Sequence, residues 1–193
     1  MEKFYFEEPS LNRKNDAIDF NKEFDEFNSE KDGFSGLDKY INNYEDWLNK
    51  LKEDYTRIPN EEKVPARTYF LIRKYDNKII GILNLRLCLN ENLKKFAGNI
   101  GYSIRPTERG KGYNKINLYL GLIKAKEYGI SKVLLDASKN NPASWKTMEA
   151  LGGILIREYF DNIHTNSVIK DYEILVNENI EKYKENYKKI IIL

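Results

Sequence analysis

Cysteine is nearly absent from this chain: Cys88 is the only one in 193 residues. An intramolecular disulfide is therefore impossible, and a cytoplasmic setting is expected. The expected role of Cys88 itself is a small side chain buried on a strand. Long apolar runs are missing as well. All fall far short of a membrane span, and the glutamate-rich first residues have no signal-peptide pattern. Nor is there an internal repeat or a long linker, so the length fits a single domain with a substantial core.

An excess of one charge sign is absent from the total but not from its distribution. The net charge is +2, yet residues 1–32 carry five Lys/Arg against ten Asp/Glu, and residues 105–146 carry nine against three. The basic residues alternate with core-forming apolar ones and do not cover one helix face, which argues against a nucleic-acid partner. A polyanion bound at the basic stretch fits better. The acidic stretch reads first as a solvated charged helix and second as a surface that favours a cationic acceptor such as an amine.

Residues 99–114 carry the most informative pattern. A short β-type run (Ile100, Tyr102, Ile104) meets Pro106, then a basic loop, Arg109-Gly110-Lys111-Gly112-Tyr113-Asn114, then an uninterrupted helical pattern. Glycines 110 and 112 permit backbone conformations closed to other residues and let the main chain approach a ligand. The following helix begins with unpaired N–H groups and the positive end of its dipole, both suited to phosphate. Arg109, Lys111 and Lys115 add full charges. The stretch reads as a pyrophosphate cradle. It is not a P-loop, because Gly112 is followed by Tyr113 and Asn114 where Lys and Ser/Thr are needed. It is not the dinucleotide fingerprint either, whose third glycine would fall at Lys115.

A second pattern follows. Residues 132–136 form a short apolar run ending in Asp136, and residues 140–153 read as a helix. Asn141 is placed to cap it, Pro142 to open its first turn and Gly152 to end it. Together, in this order and spacing, the two patterns resemble motifs A and B of the GNAT superfamily of acyl-CoA-dependent N-acetyltransferases, in a bacterial branch. Motif A there is Gln/Arg-x-x-Gly-x-Gly/Ala, and motif B is an Asn-x-Ala-Ser helix ending in a Leu-Gly-Phe-like turn. Two positions depart from the pattern. Asn114 stands where Gly or Ala is usual, and Met148 stands where many relatives place a tyrosine acid. Residues 44–48, 64–70 and 79–86 share the resemblance, which spans residues 1–176 and leaves 177–193 as a helical tail.

The resemblance implies an acetyl-CoA cleft between the strands of the two motifs, with no metal. Arg109, Gly110, Lys111, Gly112, Tyr113 and Asn114 would supply amides to the pyrophosphate. The Ile104 backbone would meet the pantetheine, with Asn141 and Ser144 on its other side. The implied reaction is acetyl transfer to a primary amine of a small molecule or peptide, by direct attack in a ternary complex. Such attack needs proximity, an oxyanion donor, a base and an acid. Methionine cannot donate a proton, so Tyr102, Tyr113 and Tyr159 become candidate acids. Asp136 and Glu91 are the nearest candidate bases, each with a solvated or capping carboxylate as its ordinary role. His164, the only histidine, falls in a predicted hairpin loop, where a surface role is expected. Met148 also raises an alternative, a catalytically idle acyl-CoA-binding regulatory domain.

Periodicity predicts an α/β fold in the order β-α-α-β-β-β-α-β-α-β-β, with a mixed sheet and helices on both faces. The first strand falls at 3–6. One helix carries Ala17, Phe20, Phe24 and Phe27 on a single face, and a second buries Leu37, Tyr40, Ile41, Tyr44, Leu48 and Leu51. Strands at 67–75 and 78–89 flank an Asp76-Asn77 turn, and 90–98 reads as a polar loop. The helix over 113–128 is apolar on most faces. A hairpin over 154–160 and 168–176 closes the domain. In the tail, Ile180, Tyr183, Tyr187 and Ile190 share one side, suited to packing on the domain or in a homodimer.

Overall fold

A computed structural model describes residues 2–193. Four strands, β1 (Phe4–Glu7), β2 (Ala66–Arg73), β3 (Lys78–Arg86) and β4 (Ile100–Ile104), pair antiparallel in that order. Three more, β5 (Lys132–Ser138), β6 (Ile154–Asp161) and β7 (Ser167–Leu175), form an antiparallel sheet in the order β5-β7-β6. The sheets meet where β4 and β5 begin. The Asn99 N–H donates to the Leu134 carbonyl at 2.7 Å, and the Leu134 N–H donates to Asn99 Oδ1 at 2.9 Å. The Asn99 side chain thus takes the place of the next backbone acceptor. Beyond this point no ladder joins the two strands, and they part. The α/β class and element order are those expected, with the sheet opened along this line into two antiparallel parts.

Helices α1 (Lys14–Glu26) and α2 (Tyr44–Thr56) cover one face. There Phe20, Phe24, Phe34, Tyr44 and Trp47 pack on Phe70, Ile72 and Ile82. A short helix, α3 (Glu91–Phe96), precedes β4. On the other face lie α4 (Tyr113–Glu127), α5 (Pro142–Ala150) and α6 (Val176–Tyr187), whose core joins Leu83, Leu118, Tyr119, Leu122, Tyr172 and Ile174. Strand β2 serves both cores, Phe70 and Ile72 on one side, Tyr69 and Leu71 on the other, as a two-residue period requires. Helix α4 is buried on most of its circumference, as its sequence predicts.

Several boundaries differ from the sequence expectation. The strand expected over 78–89 ends at Arg86, which leaves Cys88 half-buried in a bend beyond it. The second helix starts at Tyr44, while Leu37–Lys39 forms a separate 3-10 turn, because Asn43 (φ −129°, ψ 55°) breaks helical geometry between them. The polar loop at 90–98 contains α3, capped by the Asn90 side chain, which accepts from the Leu93 N–H at 2.9 Å. Strand β5 runs on to Ser138, so Asp136 lies inside it and not at its end.

The apolar side of the tail packs on its own chain. Tyr187 stacks on Tyr119 with centroids 4.3 Å apart, and the Tyr119 hydroxyl donates to the Ile180 carbonyl at 3.1 Å. After α6 the chain runs beside β1. The Phe4 N–H donates to Ile190 O and the Ile192 N–H to Phe4 O, both at 2.8 Å. Among the described residues no helix is long and apolar enough to cross a membrane.

Candidate active site

Where β4 and β5 part, a cleft of about 970 Å³ opens. Its walls are the loop 109–115, the start of α5, residues 27–32, and Tyr102, Ser103 and Ile104 of β4, with Arg109 bonded to Ser29 at 2.6 Å.

The loop 109–115 has features that suit an anion. Gly110 (φ 77°) and Gly112 (φ 80°) are left-handed, and a Cβ at either would meet nothing, so glycine is required by the backbone and the space above it stays open. The N–H groups of Gly110 through Asn114 donate to no backbone acceptor among the described residues, and they sit at the N-terminus of α4. Lys115 and Lys146 are exposed on the rim. Lys111 turns to Glu108 at 2.8 Å. Arg109 folds inward, its Nε donating to the Ile104 carbonyl at 3.1 Å and its Nη2 to Ser29 Oγ at 2.6 Å. The carbonyl of Ile104 is thus engaged by Arg109. Asn114 is helical and needs no left-handed geometry. Its Nδ2 lies 3.4 Å from Thr147 Oγ1, while its buried Oδ1 has no partner in the chain. An unpaired buried acceptor in a cleft wall fits an amide N–H of a bound pantetheine arm.

At the start of α5, Asn141 accepts from the Ser144 N–H at 3.2 Å, and both residues line the cleft. The Tyr102 hydroxyl lies 3.0 Å from Ser144 Oγ. Burial pushes its pKa well above the ordinary tyrosine value, opposed by hydrogen bonds from Ser144 and Asn114. The other candidate acids point elsewhere. Tyr113 donates to Glu2 at 2.7 Å with its ring against Phe4, so only its main chain serves the loop. Tyr159 lies on β6 with its hydroxyl 3.3 Å from the Lys95 carbonyl, outside the cleft. Met148 faces the core of α4 and α5, only 1% exposed.

The candidate bases are likewise apart from the cleft. Asp136 stands opposite Asp171 in the β5–β7 register, beside Lys94 and Lys95. Burial and Asp171, against the pull of Arg86, raise it to about 6. Glu91 lies in the first turn of α3, paired with Lys94 at 2.7 Å. His164 lies in the β6–β7 turn, 3.5 Å from Asp161 and beside the Phe96 ring.

Three carboxylates line the cleft: Glu108, bonded to Arg73 and Lys111, and Glu30 and Asp32, which nothing in the sequence singles out. Beside them Phe27, expected on the buried face of α1, lies past its end and is 56% exposed. The segment is fixed to β4. Gly33 (φ 75°) lies over Gly101, so closely that a Cβ would come within 2.5 Å of the Gly101 carbonyl oxygen. Ser103 Oγ donates to the Asp32 carbonyl at 2.8 Å, and Trp47 Nε1 to the Ser35 carbonyl at 3.1 Å. Crowding by the cleft walls, then the charge of Glu30, pushes the Asp32 carboxyl up against the pull of Arg86. In the sequence, Asp32-Gly33 signals only a turn.

Comparison with known proteins agrees with this architecture. The sequence profile of the acetyltransferase (GNAT) family matches residues 26–153. Mutant forms of the spermidine/spermine N-acetyltransferase SpeG from Vibrio cholerae superpose with a TM-score of 0.63 at 14% identity, over 93% of this chain and 98% of that one. The ribosomal-protein-S5-alanine acetyltransferase from Vibrio fischeri gives 0.62 at 15% identity, over 92% and 94%. A GNAT-family acetyltransferase from Bacillus anthracis gives 0.58 at 18%, over 90% and 95%. No curated protein matches the sequence. The chain belongs to the GNAT family of acetyltransferases and is an acetyl-CoA-dependent N-acetyltransferase.

Proposed function

We propose that acetyl-CoA lies along the cleft with its pyrophosphate on the amides of Gly110–Asn114 and its thioester between β4 and β5, and that the acceptor is a cationic primary amine entering past Phe27, Glu30 and Asp32. The single observation that carries this reading is the polarity of the cleft. One wall offers main-chain N–H groups, Lys115 and Lys146, and another offers the exposed carboxylates of Glu30 and Asp32 and an exposed aromatic ring. The phosphates and an ammonium group thereby each meet groups of opposite charge.

Asn114 Oδ1, Asn141 and Ser144 support a role in holding the pantetheine arm, with Ile104 reached once Arg109 swings from its carbonyl to the phosphates. The amine nitrogen attacks the thioester carbon, the oxyanion forms and collapses, and the thiolate departs. Tyr102 is the hydroxyl placed in the cleft to donate to the departing sulfur, and burial keeps it protonated across the neutral range. Met148 gives no support to an idle domain, because its side chain belongs to the core and packing accounts for its identity. We place the enzyme in the cytoplasm, where its cosubstrate is made. A homodimer would need a surface other than the tail. The exposed Ile154, Leu155, Ile156 and Phe160 of the edge strand β6 supply one.

The test is a panel of amines: spermidine, 1,4-diaminobutane and a peptide with an N-terminal alanine, read by free thiol release. Turnover is expected, with the two small cationic amines ahead of the peptide. Absence of thiol release with every amine, and of heat on titrating acetyl-CoA, would refute the reading.

A further inference from the structure

Loop 28–36 has an anchored main chain and presents the exposed carboxylate of Asp32 to the cleft. Its main chain is bonded to β4 through Ser103 and to α2 through Trp47, and Gly33 lies directly on Gly101. Side chains alternate along β4, so Tyr102 packs with the core on the α4 face while Ser103 reaches Asp32 on the α1 face. A thioester lying in the gap beside β4 would therefore have the Asp32 segment on one face and the Tyr102 hydroxyl on the other, with Asp32 among the residues that line the cleft.

We propose that Asp32 is the general base that takes the proton from the acceptor ammonium; this rests on the placement of acetyl-CoA given above. The other carboxylates near the cleft are committed. Glu108 is bonded to Arg73 and Lys111, and Glu23 accepts from Arg105 and from the N–H and hydroxyl of Thr107. Glu30 and Asp32 are both exposed and both line the cleft, but of the two only Asp32 has its main chain bonded to β4, and Asp136 is outside. Four groups set the charge around Asp32: Glu30 in its own loop, Arg86 of β3, Tyr102 of β4 and Asp136 of β5. The Arg86 guanidinium is held by the carbonyls of Ala97 and Gly98 at 3.2 and 2.8 Å, a fixed positive charge that favours the ionised base.

The proton count closes. The ammonium gives one proton to the Asp32 carboxylate, and the freed nitrogen lone pair forms the C–N bond while the carbonyl π pair moves to oxygen. As that pair returns, the C–S bond breaks and its electrons leave on sulfur. Tyr102 gives its proton to the thiolate and is reprotonated by the second proton shed from nitrogen, and the proton on Asp32 passes to solvent.

The experiment compares the wild-type enzyme, Asp32→Asn, Asp32→Glu and Asp136→Asn, with spermidine and 1,4-diaminobutane as acceptors and acetyl-CoA affinity measured by calorimetry. Asp32→Asn should lose about a hundredfold or more in kcat at neutral pH with acetyl-CoA affinity unchanged. Its rate should then climb about tenfold per pH unit, because solution supplies the free amine. Asp32→Glu should recover part of the loss, and Asp136→Asn should stay within about fivefold of wild type. A kcat for Asp32→Asn within about fivefold of wild type, or a rise in KM alone, would overturn the proposal and leave Asp32 at most a binding group. Wild-type enzyme that binds acetyl-CoA yet acetylates neither amine would overturn the cationic-acceptor reading, and the role of Asp32 with it.

Discussion

Glu108 accepts from both terminal nitrogens of Arg73, at 2.9 and 3.1 Å, with both residues buried. Arg73 also holds Asp76 at the turn between β2 and β3, so the turn that precedes the loop 109–115 is anchored to that hairpin. Burial alone would raise the Glu108 carboxyl, but the hydrogen bonds from Arg73 and Lys111 outweigh it and hold it below the usual range. A carboxylate with a lowered folded value contributes stability above its unfolded pKa and loses it as pH falls through the folded one. Glu108→Gln should therefore cost about 1–3 kcal/mol at neutral pH and less in acid. Urea unfolding at several pH values measures this, and a cost that grows as pH falls would contradict it.

The left-handed glycines of the loop give a sharper test. Gly112→Val must adopt φ near 80° with a β-branched side chain, at about 1–2 kcal/mol. The valine would also fill the open space above the amides. Acetyl-CoA at about a hundred times its Kd should stabilise the wild-type enzyme by about 2.7 kcal/mol, and this gain should vanish in Gly112→Val while circular dichroism stays native. A variant with unaltered affinity would remove the cradle from the proposal.

Three phenylalanine variants separate the tyrosines. Tyr102→Phe should lower kcat, increasingly as pH rises, without changing acetyl-CoA affinity. Tyr113→Phe and Tyr159→Phe, whose hydroxyls bond Glu2 and the Lys95 carbonyl, should alter stability by about 0.5–1.5 kcal/mol and leave kcat alone. Equal rates in all three would mean that the thiolate departs without a tyrosine acid.

Met148→Ala should destabilise by about 2–5 kcal/mol through the cavity it leaves, with kcat per folded molecule preserved. Met148→Tyr should destabilise too and bring no rate gain, since the side chain enters the core. A faster Met148→Tyr enzyme would show that this helix position reaches the sulfur.

What could be read from the sequence was local. Gly110 and Gly112, the Asn141 cap and the many apolar faces of α4 depend on neighbours a few residues away, and the structure has them as the sequence implies. Phe27 misled because its spacing fits α1, while Asn28 adopts φ 45° and the helix has already ended. Asp32 was missed because its importance comes from Ser103 and Gly101, some seventy positions later in the chain. Asp136 attracted notice by standing near motif B, yet the strand continues past it and turns it toward Asp171. Distance along the chain was a poor guide to distance across the parted sheets.

The pairing of Phe4 with Ile190 and Ile192 also bears on how the molecule is made. Strand β1 has one edge on β2 and the other on these residues. During synthesis the covering segment appears long after the strand it protects. Until then β1 presents unpaired N–H and C=O groups, a template on which neighbouring nascent chains can aggregate. The contact is also among the most non-local in the molecule, so it forms late in folding and opens early. Deleting 190–192 would therefore be felt first in the yield of soluble protein and only afterwards in the chemistry of a cleft that lies elsewhere.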